Sequence, residues 1–381
     1  MLQVTVATLK KRTAPVDDPS NTTNVVGLVQ KGFQFQSISQ TTNGLGTWYQ
    51  DQDSYYYWGG GLSIVPTSSS AASPNPPQVD IPINTPPPTN NIYPQWMTDL
   101  NLPQIWTYAT GQDVGVAVVD TGIISGNADL PYSQQNFFTY ATGVSIQDKD
   151  GHGTNCAGLI GAKNRTGTYI GVAPACNLYI CKIADQRNFD QLSDASRYAD
   201  AINWCATQDC IHIISISWGN PIQDPVVLDA IQKAIDKALA NKKVVLCAIG
   251  DATSFIDATQ LYPVCSNNTI GVGSIPVQDQ LYPFINSSLL ISTQGVSLTS
   301  YGIDTASANM IGTSQSNAIL AGIVALIIQK LNKTFSYQQI TTILKAMSTQ
   351  TDYFIRSTSG AVTKATLSIL DGDLLLKYFK S

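Results

Sequence analysis

The sequence predicts an α/β protein in which a parallel sheet has helices on both faces, preceded by a small all-β domain. Two observations carry this prediction. From residue 95 onward, apolar runs of strand length alternate with amphipathic helical segments, and this alternation is typical of a parallel sheet. Before residue 67, short β-type runs are separated by turn residues, which is typical of a small barrel.

Residues 1–66 are predicted to form the all-β domain, a barrel of about five strands. Lys31-Gly32 and Asn43-Gly44 supply turns between the runs. The predicted strand runs include Val4-Thr5-Val6, Asn24–Val29, Phe33-Gln34-Phe35 and Gly46–Tyr49. An aromatic cluster has two interpretations, a peptide-binding groove or a mixture of core and hairpin surface; its members are Trp48, Tyr55, Tyr56, Tyr57 and Trp58.

Residues 67–94 are predicted to form a linker, or a strap across the surface of the next domain. The segment is rich in Ser, Pro and Asn and contains Pro76-Pro77 and Pro86-Pro87-Pro88. Proline fixes an extended backbone, and a segment of this composition cannot build a core of its own. The predicted division is therefore 1–66, 67–94 and 95–381.

The third region carries the parallel sheet. Val114–Val119 is a continuous apolar run, as expected for a strand buried on both faces. Further strands are predicted at Ile211–Ile216 and Val244–Ile249, and helices at Asp194–Gln208, Asp224–Asn241, Ala318–Leu331 and Ser336–Met347. Functional residues of such a sheet follow the carboxyl ends of its strands, and Asp120 directly follows the first strand.

Three motifs in this region carry the residues of nucleophilic catalysis. They are Val-Val-Asp-Thr-Gly at 118–122, Asp-Gly-His-Gly-Thr at 150–154 and Gly-Thr-Ser at 312–314. A serine nucleophile needs an imidazole base and a carboxylate that orients the imidazole. The chain order Asp120, His152, Ser314 is that of subtilisin. Over residues 95–381 the chain resembles the subtilisin-like serine proteases, which implies a subtilisin-like fold and hydrolysis of protein or peptide substrates.

Each motif has another interpretation. Asp-Thr-Gly is also the hallmark of aspartic proteases, but these need two such carboxylates, and the chain has no second Asp-Thr-Gly or Asp-Ser-Gly. His152 is one of only two histidines and lies between two glycines. Ser314 is compatible with an N-cap serine, because a helix N-terminus also favours an anion beside the nucleophile. The three motifs together favour the triad.

The resemblance also assigns an oxyanion residue, and here the chain departs from the family. The family has Gly-Asn where this chain has Gly250-Asp251, and the asparagine amide donates to the oxyanion. An ionised Asp251 would repel that charge, whereas a protonated one can donate, so we expect activity shifted to mildly acidic pH. The alternatives are an inactive subtilase fold that binds peptides or partners, and a self-processing protease with residues 67–94 near its cleft.

The resemblance implies two binding regions as well. Ser217-Trp218-Gly219 corresponds to the stretch that pairs with the substrate backbone, the usual mode for an extended peptide. Residues 1–66 resemble bacterial SH3-like domains, on the segments Leu9–Pro15, Val26-Gly27, Lys31-Gly32 and Trp48-Tyr49. That likeness implies a peptide or cell-wall ligand for the first domain.

The amino-acid composition further limits the classes of partner that the chain is expected to bind. The chain has 381 residues, of which 12% are charged, and a net charge of −5. Without a basic stripe, nucleic acid is not an expected partner. No apolar run has the length of a membrane span, and the N-terminus lacks the pattern of a signal peptide.

The seven cysteines bear on metals and on the compartment. Their number is odd and no CxxC pair occurs, so a zinc site has no support. Several lie in apolar runs, which predicts buried free thiols and a cytoplasmic protein; the alternative is a secreted protein whose signal and pro-segment have been removed. The family commonly binds calcium, but no acidic cluster gives it a location here, so no cofactor is expected to be required.

Overall fold

The computed structural model describes the chain in segments and divides it into two compact units, Met1–Ile83 and Asn84–Ser381. The boundary lies inside the predicted proline-rich segment, of which residues 67–92 lie outside the described residues. The described residues are 2–4, 8–15, 24–30, 34–35, 37–43, 46–51, 54–59, 62–64, 93–167, 169–186, 195–250, 261–275, 290–293, 295, 298–302, 308–356 and 362–381.

The first unit is built from strands in its described part. One sheet has the order β4-β1-β8 and the other β3-β2-β7-β6-β5, so the unit has more strands than the predicted five. Trp48 and Tyr57 are buried, and the Tyr57 hydroxyl donates to Asp51 at 2.8 Å, so these two aromatics belong to the core. The strands are β1 Leu2–Val4, β2 Thr8–Arg12, β3 Val25–Gln30, β4 Gln34–Phe35, β5 Ser37–Asn43, β6 Gly46–Asp51, β7 Tyr56–Trp58 and β8 Leu62–Ile64.

The second unit alternates strands and helices, as the sequence predicts. Its helices are α1 Gln95–Asp99, α2 Leu102–Ile105, α3 His152–Gly161, α4 Ser196–Ala206, α5 Pro225–Ala240, α6 Thr313–Lys330, α7 Tyr337–Ala346 and α8 Gly372–Lys380. Its strands are β9 Gly115–Asp120, β10 Phe138–Thr139, β11 Asn177–Lys182, β12 Ile213–Ile216, β13 Asn220–Pro221, β14 Val244–Ala248, β15 Leu261–Tyr262, β16 Ile270–Ser274, β17 Leu290–Thr293, β18 Leu298–Ser300, β19 Ala308–Met310, β20 Ser348–Arg356 and β21 Val362–Leu370.

Nine strands of the described chain form one sheet in the order β10-β11-β9-β12-β14-β16-β17-β21-β20. Every neighbouring pair is parallel except β20 with β21. The chain runs from β9 to β11 on one side and then crosses to β12 on the other side of β9. The strand order therefore reverses at β9, and such a switch point opens a crevice at the carboxyl ends of the strands.

The sheet separates two apolar layers, because successive side chains of a strand point to opposite faces. On β9, Val116 and Val118 join the layer that contains α3 and α6, while Ala117 and Val119 join the layer of α4 and α5. The predicted parallel sheet with helices on both faces is thus confirmed. None of the described helices combines the length and apolar character needed to cross a membrane.

The structure extends one predicted helix and adds elements that the sequence analysis did not identify. Helix α6 begins at Thr313 rather than Ala318, and its first residues, Thr-Ser-Gln-Ser-Asn, are polar but buried. An apolar pattern cannot reveal a turn whose buried side chains are polar and satisfied by hydrogen bonds. The elements that were not predicted include β11, β16, β17, the β20–β21 hairpin and α8.

Candidate active site

Asp120 is the last residue of β9, at the switch point of the sheet. Its backbone pairs with Lys182 of β11, while Val119 pairs with Ile216 of β12. The carboxylate is fully buried. It accepts the backbone N–H of Thr121 at 2.7 Å, so one of its hydrogen bonds is supplied by its own turn.

His152 is the first residue of α3 and meets Asp120 directly. Its Nδ1 lies 2.8 Å from Oδ1 and 2.9 Å from Oδ2 of Asp120, and the ring is 3% exposed. The turn before it requires Gly151, with φ of 97°. Gly153 allows the close approach of the two segments, since a Cβ there would lie 2.4 Å from the Gly122 carbonyl oxygen.

A second carboxylate, Asp148, holds the segment that carries His152. It accepts the N–H of Gly151 at 2.8 Å and the N–H and hydroxyl of Thr154 at 2.9 and 2.6 Å. The hydroxyl of Thr121 also donates to it, at 2.9 Å. Burial acts to raise the pKa of Asp148, but these donors outweigh it and hold the pKa below its ordinary value. Asp148 therefore stays ionised and links the Asp120 turn to the His152 turn.

Ser314 lies in the first turn of α6, where its N–H has no acceptor within the helix. Its Oγ donates to the carbonyl oxygen of Ser217 at 3.0 Å, and no hydrogen bond joins Ser314 to His152 within the described part of the chain. The two are nevertheless neighbours. The Cys156 thiol donates to the Ser314 carbonyl at 3.9 Å, and its sulfur lies within 4.8 Å of ligand atoms of both Asp120 and His152.

The polar first turn of α6 is held from several directions. The Thr313 hydroxyl accepts the N–H of Gly250 at 3.0 Å, and Gln315 donates to Asn155 of α3 at 3.3 Å. Ser316 and Thr293 each donate a hydroxyl to the other's carbonyl oxygen, at 3.3 and 3.1 Å. These contacts account for the burial of polar side chains that the apolar pattern of the helix does not include.

Of the remaining predicted site residues, Ser217, Trp218 and Gly219 follow β12, the strand beside β9. Asp251, predicted in the oxyanion site, lies outside the described residues, although the preceding Gly250 contacts α6. Ser217 follows β12 and contacts Ser314 through its carbonyl oxygen. Trp218 is buried in the layer of α4 and α5, and Gly219 is partly exposed. Ser217 is thus brought to Ser314, whereas the Trp218 ring is directed into the core.

The side-chain atoms of the site that could bind a metal are already hydrogen-bonded to protein groups. Asp120, His152 and Cys156 are close enough to share a cation, but His152 Nδ1 is already paired with both Asp120 oxygens. Asp129, a further buried carboxylate, accepts the N–H groups of Arg165 and Thr166 and the hydroxyl of Tyr301. Calcium requires six to eight oxygen ligands. The oxygens of these carboxylates already accept hydrogen bonds from the protein, so they do not fit a calcium site.

All seven cysteines are free thiols, and five are buried: Cys156, Cys176, Cys181, Cys205 and Cys247. Burial raises the pKa of Cys176 to about 11 and also raises that of Cys181. Such thiols are protonated and poor nucleophiles at neutral pH. Free buried thiols were expected from the apolar runs around these residues.

Comparisons with known proteins identify the family of the chain. Residues 111–365 match the model of the Subtilase family. The Intracellular serine protease of Paenibacillus polymyxa is 31% identical over 262 residues, 64% of this chain and 76% of that protein. Subtilisin NAT of Bacillus subtilis subsp. natto is 31% identical over 243 residues, 63% of this chain and 61% of that protein.

Two solved structures share the fold. Sphericase matches with a TM-score of 0.57 and 24% identity, over 69% of this chain and 92% of that one. MycP1 with its N-terminal propeptide removed matches with a TM-score of 0.58 and 22% identity, over 74% of this chain and 96% of that one. Fold and site define an α/β enzyme with its site at the carboxyl edge of a parallel sheet. The chain belongs to the subtilase family and is a subtilisin-like serine protease.

Proposed function

We propose that the protein is an endopeptidase whose triad consists of Asp120, His152 and Ser314. The observation that carries the proposal is the buried pair of His152 and Asp120, joined at 2.8 Å at the switch point of the sheet. Ser314 supports it from the start of α6, because the Cys156 thiol of α3 donates to its carbonyl oxygen and lies within 4.8 Å of ligand atoms of Asp120 and His152. A buried carboxylate on Nδ1 serves catalysis because it fixes the tautomer and stabilises the imidazolium.

The mechanism follows from these positions. With Nδ1–H directed at Asp120, Nε2 of His152 is unprotonated and acts as the base for Ser314. The Ser314 hydroxyl leaves the Ser217 carbonyl and turns to His152 when a substrate carbonyl is bound. Oγ then attacks the substrate carbonyl carbon, and His152 passes the proton to the leaving amine. Water, deprotonated by the same histidine, then hydrolyses the acyl-enzyme and releases Ser314.

The developing oxyanion is stabilised by the Ser314 N–H at the start of α6 and by the side chain of Asp251. A helix N-terminus favours negative charge, and a protonated carboxyl donates a hydrogen bond where an ionised one repels. Ser217, Trp218 and Gly219 bind the substrate backbone as an added strand. The N–H of Gly250, the residue before Asp251, donates to the Thr313 hydroxyl next to Ser314, and this contact supports the proposal.

A fluorophosphonate probe tests the triad, because it reacts with an activated serine. We expect covalent labelling of the full chain that disappears in Ser314→Ala and falls strongly in His152→Ala. The matched control is Ser336→Ala, which removes the same hydroxyl from an exposed position at the start of α7. Labelling that persists in Ser314→Ala, or no labelling between about pH 5 and about pH 8, would support the inactive, partner-binding alternative.

The role of Asp251 is tested by the pH dependence of kcat/KM. If a protonated Asp251 donates to the oxyanion, the wild-type rate relative to Asp251→Asn rises as pH falls, because the asparagine donates at every pH. Loss of one oxyanion donor costs about 100-fold or more in rate, so the variant is expected to be the faster enzyme at neutral pH. Identical profiles in the two proteins would remove Asp251 from the oxyanion site.

We further propose that the first unit is an SH3-like domain with a peptide or cell-wall ligand, and that the protein is cytoplasmic. Trp58, 40% exposed on β7, supports a binding role for part of the aromatic cluster. The name Intracellular serine protease of a relative and the seven free thiols support the compartment. We expect Trp58→Ala to lose binding to the cell wall or the peptide, while its free energy of unfolding stays at the wild-type value.

A further inference from the structure

Ser217 and Ser314 are joined by a reciprocal pair of hydrogen bonds. The Ser314 hydroxyl donates to the Ser217 carbonyl at 3.0 Å, and the Ser217 hydroxyl donates to the Ser314 carbonyl at 3.1 Å. Both side chains are less than a tenth exposed. The second of these bonds fixes the backbone from which the Ser314 hydroxyl projects, and it remains when that hydroxyl turns to another acceptor.

Asn317 adds a second layer to this contact. It lies three residues after Ser314 in α6, so the two share a helix face. Its Nδ2 donates to the hydroxyl oxygens of Ser215 at 3.0 Å and Ser217 at 3.2 Å. Ser215 and Ser217 share a face of β12 and its extension because strand side chains alternate, and that face is turned toward α6.

The direction of the Ser217 hydroxyl follows from this amide. A hydroxyl has one proton to donate, and an oxygen that accepts from Asn317 Nδ2 directs its own proton elsewhere, here to the Ser314 carbonyl. The reverse placement of the amide would aim Oδ1 at both serines and draw the Ser217 proton away from Ser314. The observed placement is therefore the one that ties Ser217 to the nucleophile's backbone.

Among the described residues, Asn317 Oδ1 has no partner in this arrangement. Asn317 Oδ1 is buried with no hydrogen-bond partner in the described part of the chain, and the residue is fully buried. An unpaired buried carbonyl is unfavourable for stability. An apolar side chain at this helix position would avoid that cost, so the residue is explained by what its NH₂ group does rather than by packing.

We propose that Asn317 is a positioning residue, which acts through Ser217 to hold the Ser314 backbone in line for attack. The inference rests on the proposed function, since it concerns the same nucleophile. Asn317 does not touch the reacting atoms. Its removal should therefore slow the chemical step and leave substrate affinity unchanged.

A double-mutant cycle tests this route of action. We expect Asn317→Ala and Ser217→Ala each to lower the rate of fluorophosphonate labelling and kcat by about tenfold or more, since small displacements of a nucleophile are costly. The KM of a peptide substrate should stay within about twofold in Asn317→Ala. If Asn317 acts through Ser217, the double variant is no slower than the slower single variant, whereas independent effects would multiply.

Asn317→Asp gives a second readout that a purely structural role would not move. The ionised carboxylate accepts from both serines and so imposes the reverse placement. Because burial raises the pKa of a carboxyl group, lowering the pH restores a protonated side chain that can donate. Its kcat relative to wild type is expected to rise as pH falls from about 8 to about 6.

The control is Gln329→Met, at the far end of the same helix from Ser314. It removes the side-chain oxygen that accepts the N–H groups of residues 110–112, and it should label like wild type. Wild-type labelling that depends on Ser314, together with an unchanged rate in Asn317→Ala, would overturn the positioning role and leave the proposed function intact. Multiplicative losses in the double variant would also overturn it. A wild-type protein that does not label would overturn both.

Discussion

At the scale of single residues, the site depends on carboxylates with different tasks. Asp120 pairs with the imidazole, while Asp148 receives donors from Thr121, Gly151 and Thr154 and joins the two turns. Asp148→Ala leaves these donors unpaired, at a cost of about 3 kcal/mol in the free energy of unfolding. The His152 turn then loosens, and kcat should fall by about 10- to 100-fold.

Urea unfolding and peptide-hydrolysis kinetics measure both effects. Asp148→Asn keeps one acceptor oxygen and should lie between wild type and Asp148→Ala. The control is Asp352→Asn, which neutralises an exposed carboxylate paired with Lys364 on the β20–β21 hairpin. If Asp148→Ala were destabilised but hydrolysed peptides at the wild-type rate, Asp148 would be a structural residue without influence on His152.

Sequence motifs predicted site residues that lie among glycines, and gave no signal for residues whose role depends on contacts made only in the folded protein. Asp120, His152 and Ser314 could be proposed because glycines and chain order accompany them. Asp148 and Asn317 lie in ordinary polar stretches, Gln-Asp-Lys-Asp and Gln-Ser-Asn-Ala. Nothing local distinguishes Asp148 from Asp150, because the difference between them is which donors the fold brings within reach.

At the scale of elements, one side chain joins α6 to the turn that precedes β9. Gln329 Oε1 accepts the N–H groups of Thr110, Gly111 and Gln112 at 2.8, 2.6 and 3.0 Å. Gln329→Met leaves all three donors without this acceptor and should lower the free energy of unfolding by about 1–3 kcal/mol. Gln329→Glu keeps the acceptor and adds charge to the same bonds, so its stability should equal or exceed that of wild type.

The urea midpoints of wild type, Gln329→Met and Gln329→Glu measure the contribution of this contact to stability. Equal destabilisation by Met and by Glu would show that the amide NH₂ group, and not Oε1, carries the interaction. Both variants should retain fluorophosphonate labelling, since residue 329 lies fifteen residues beyond Ser314 along α6. A parallel loss of labelling would mean that the far end of the helix sets the position of the nucleophile.

Elements with a clear apolar period were predicted well, and the exceptions have physical reasons. Strands β9, β12 and β14 are mostly apolar and fully buried. Helix α5 begins after Asp224, which caps it by accepting the Val226 N–H at 2.8 Å. The first turn of α6 carries no apolar signal because it is buried through hydrogen bonds. Strands β20 and β21 mix Ser, Thr and charged residues with apolar ones, without the continuous apolar run that marks a strand buried on both faces.

At the scale of the whole second unit, the order of the strands could not be predicted from the sequence, because parallel pairing joins segments that are distant along the chain. The sequence could place Asp120 after a strand, but not between β11 and β12. The closing of the unit is equally nonlocal. Its last helix meets its first, where Asn101 donates to Asp373 at 3.0 Å and Gly372 lies so near Asp99 that a Cβ would meet its carbonyl oxygen at 1.9 Å.

The stability of this unit should depend on pH through His212, which links two strands of the sheet. Its Nδ1 accepts the Gly115 N–H at 3.0 Å, so the ring must be unprotonated on that nitrogen. Burial lowers the pKa of His212, and the charges of Lys243 and Lys333 lower it further, against one opposing backbone contact from Cys210. The folded protein therefore resists a proton that the unfolded chain accepts.

The direction of this pH dependence follows from the difference between the pKa of His212 in the folded and in the unfolded chain. Above the unfolded pKa of about 6.5, His212 is neutral in both states and its stabilising contact is fully present. As pH falls below this value the unfolded chain binds the proton first, so the free energy of unfolding decreases until the lower folded pKa is reached. His212→Asn places an amide oxygen near the position of Nδ1 and removes the titration. The stability of wild type minus that of His212→Asn should therefore shrink as urea unfolding is repeated from about pH 7.5 to about pH 5. A constant difference would mean that His212 titrates alike in the folded and unfolded chain, and that its bond to Gly115 does not depend on a neutral ring.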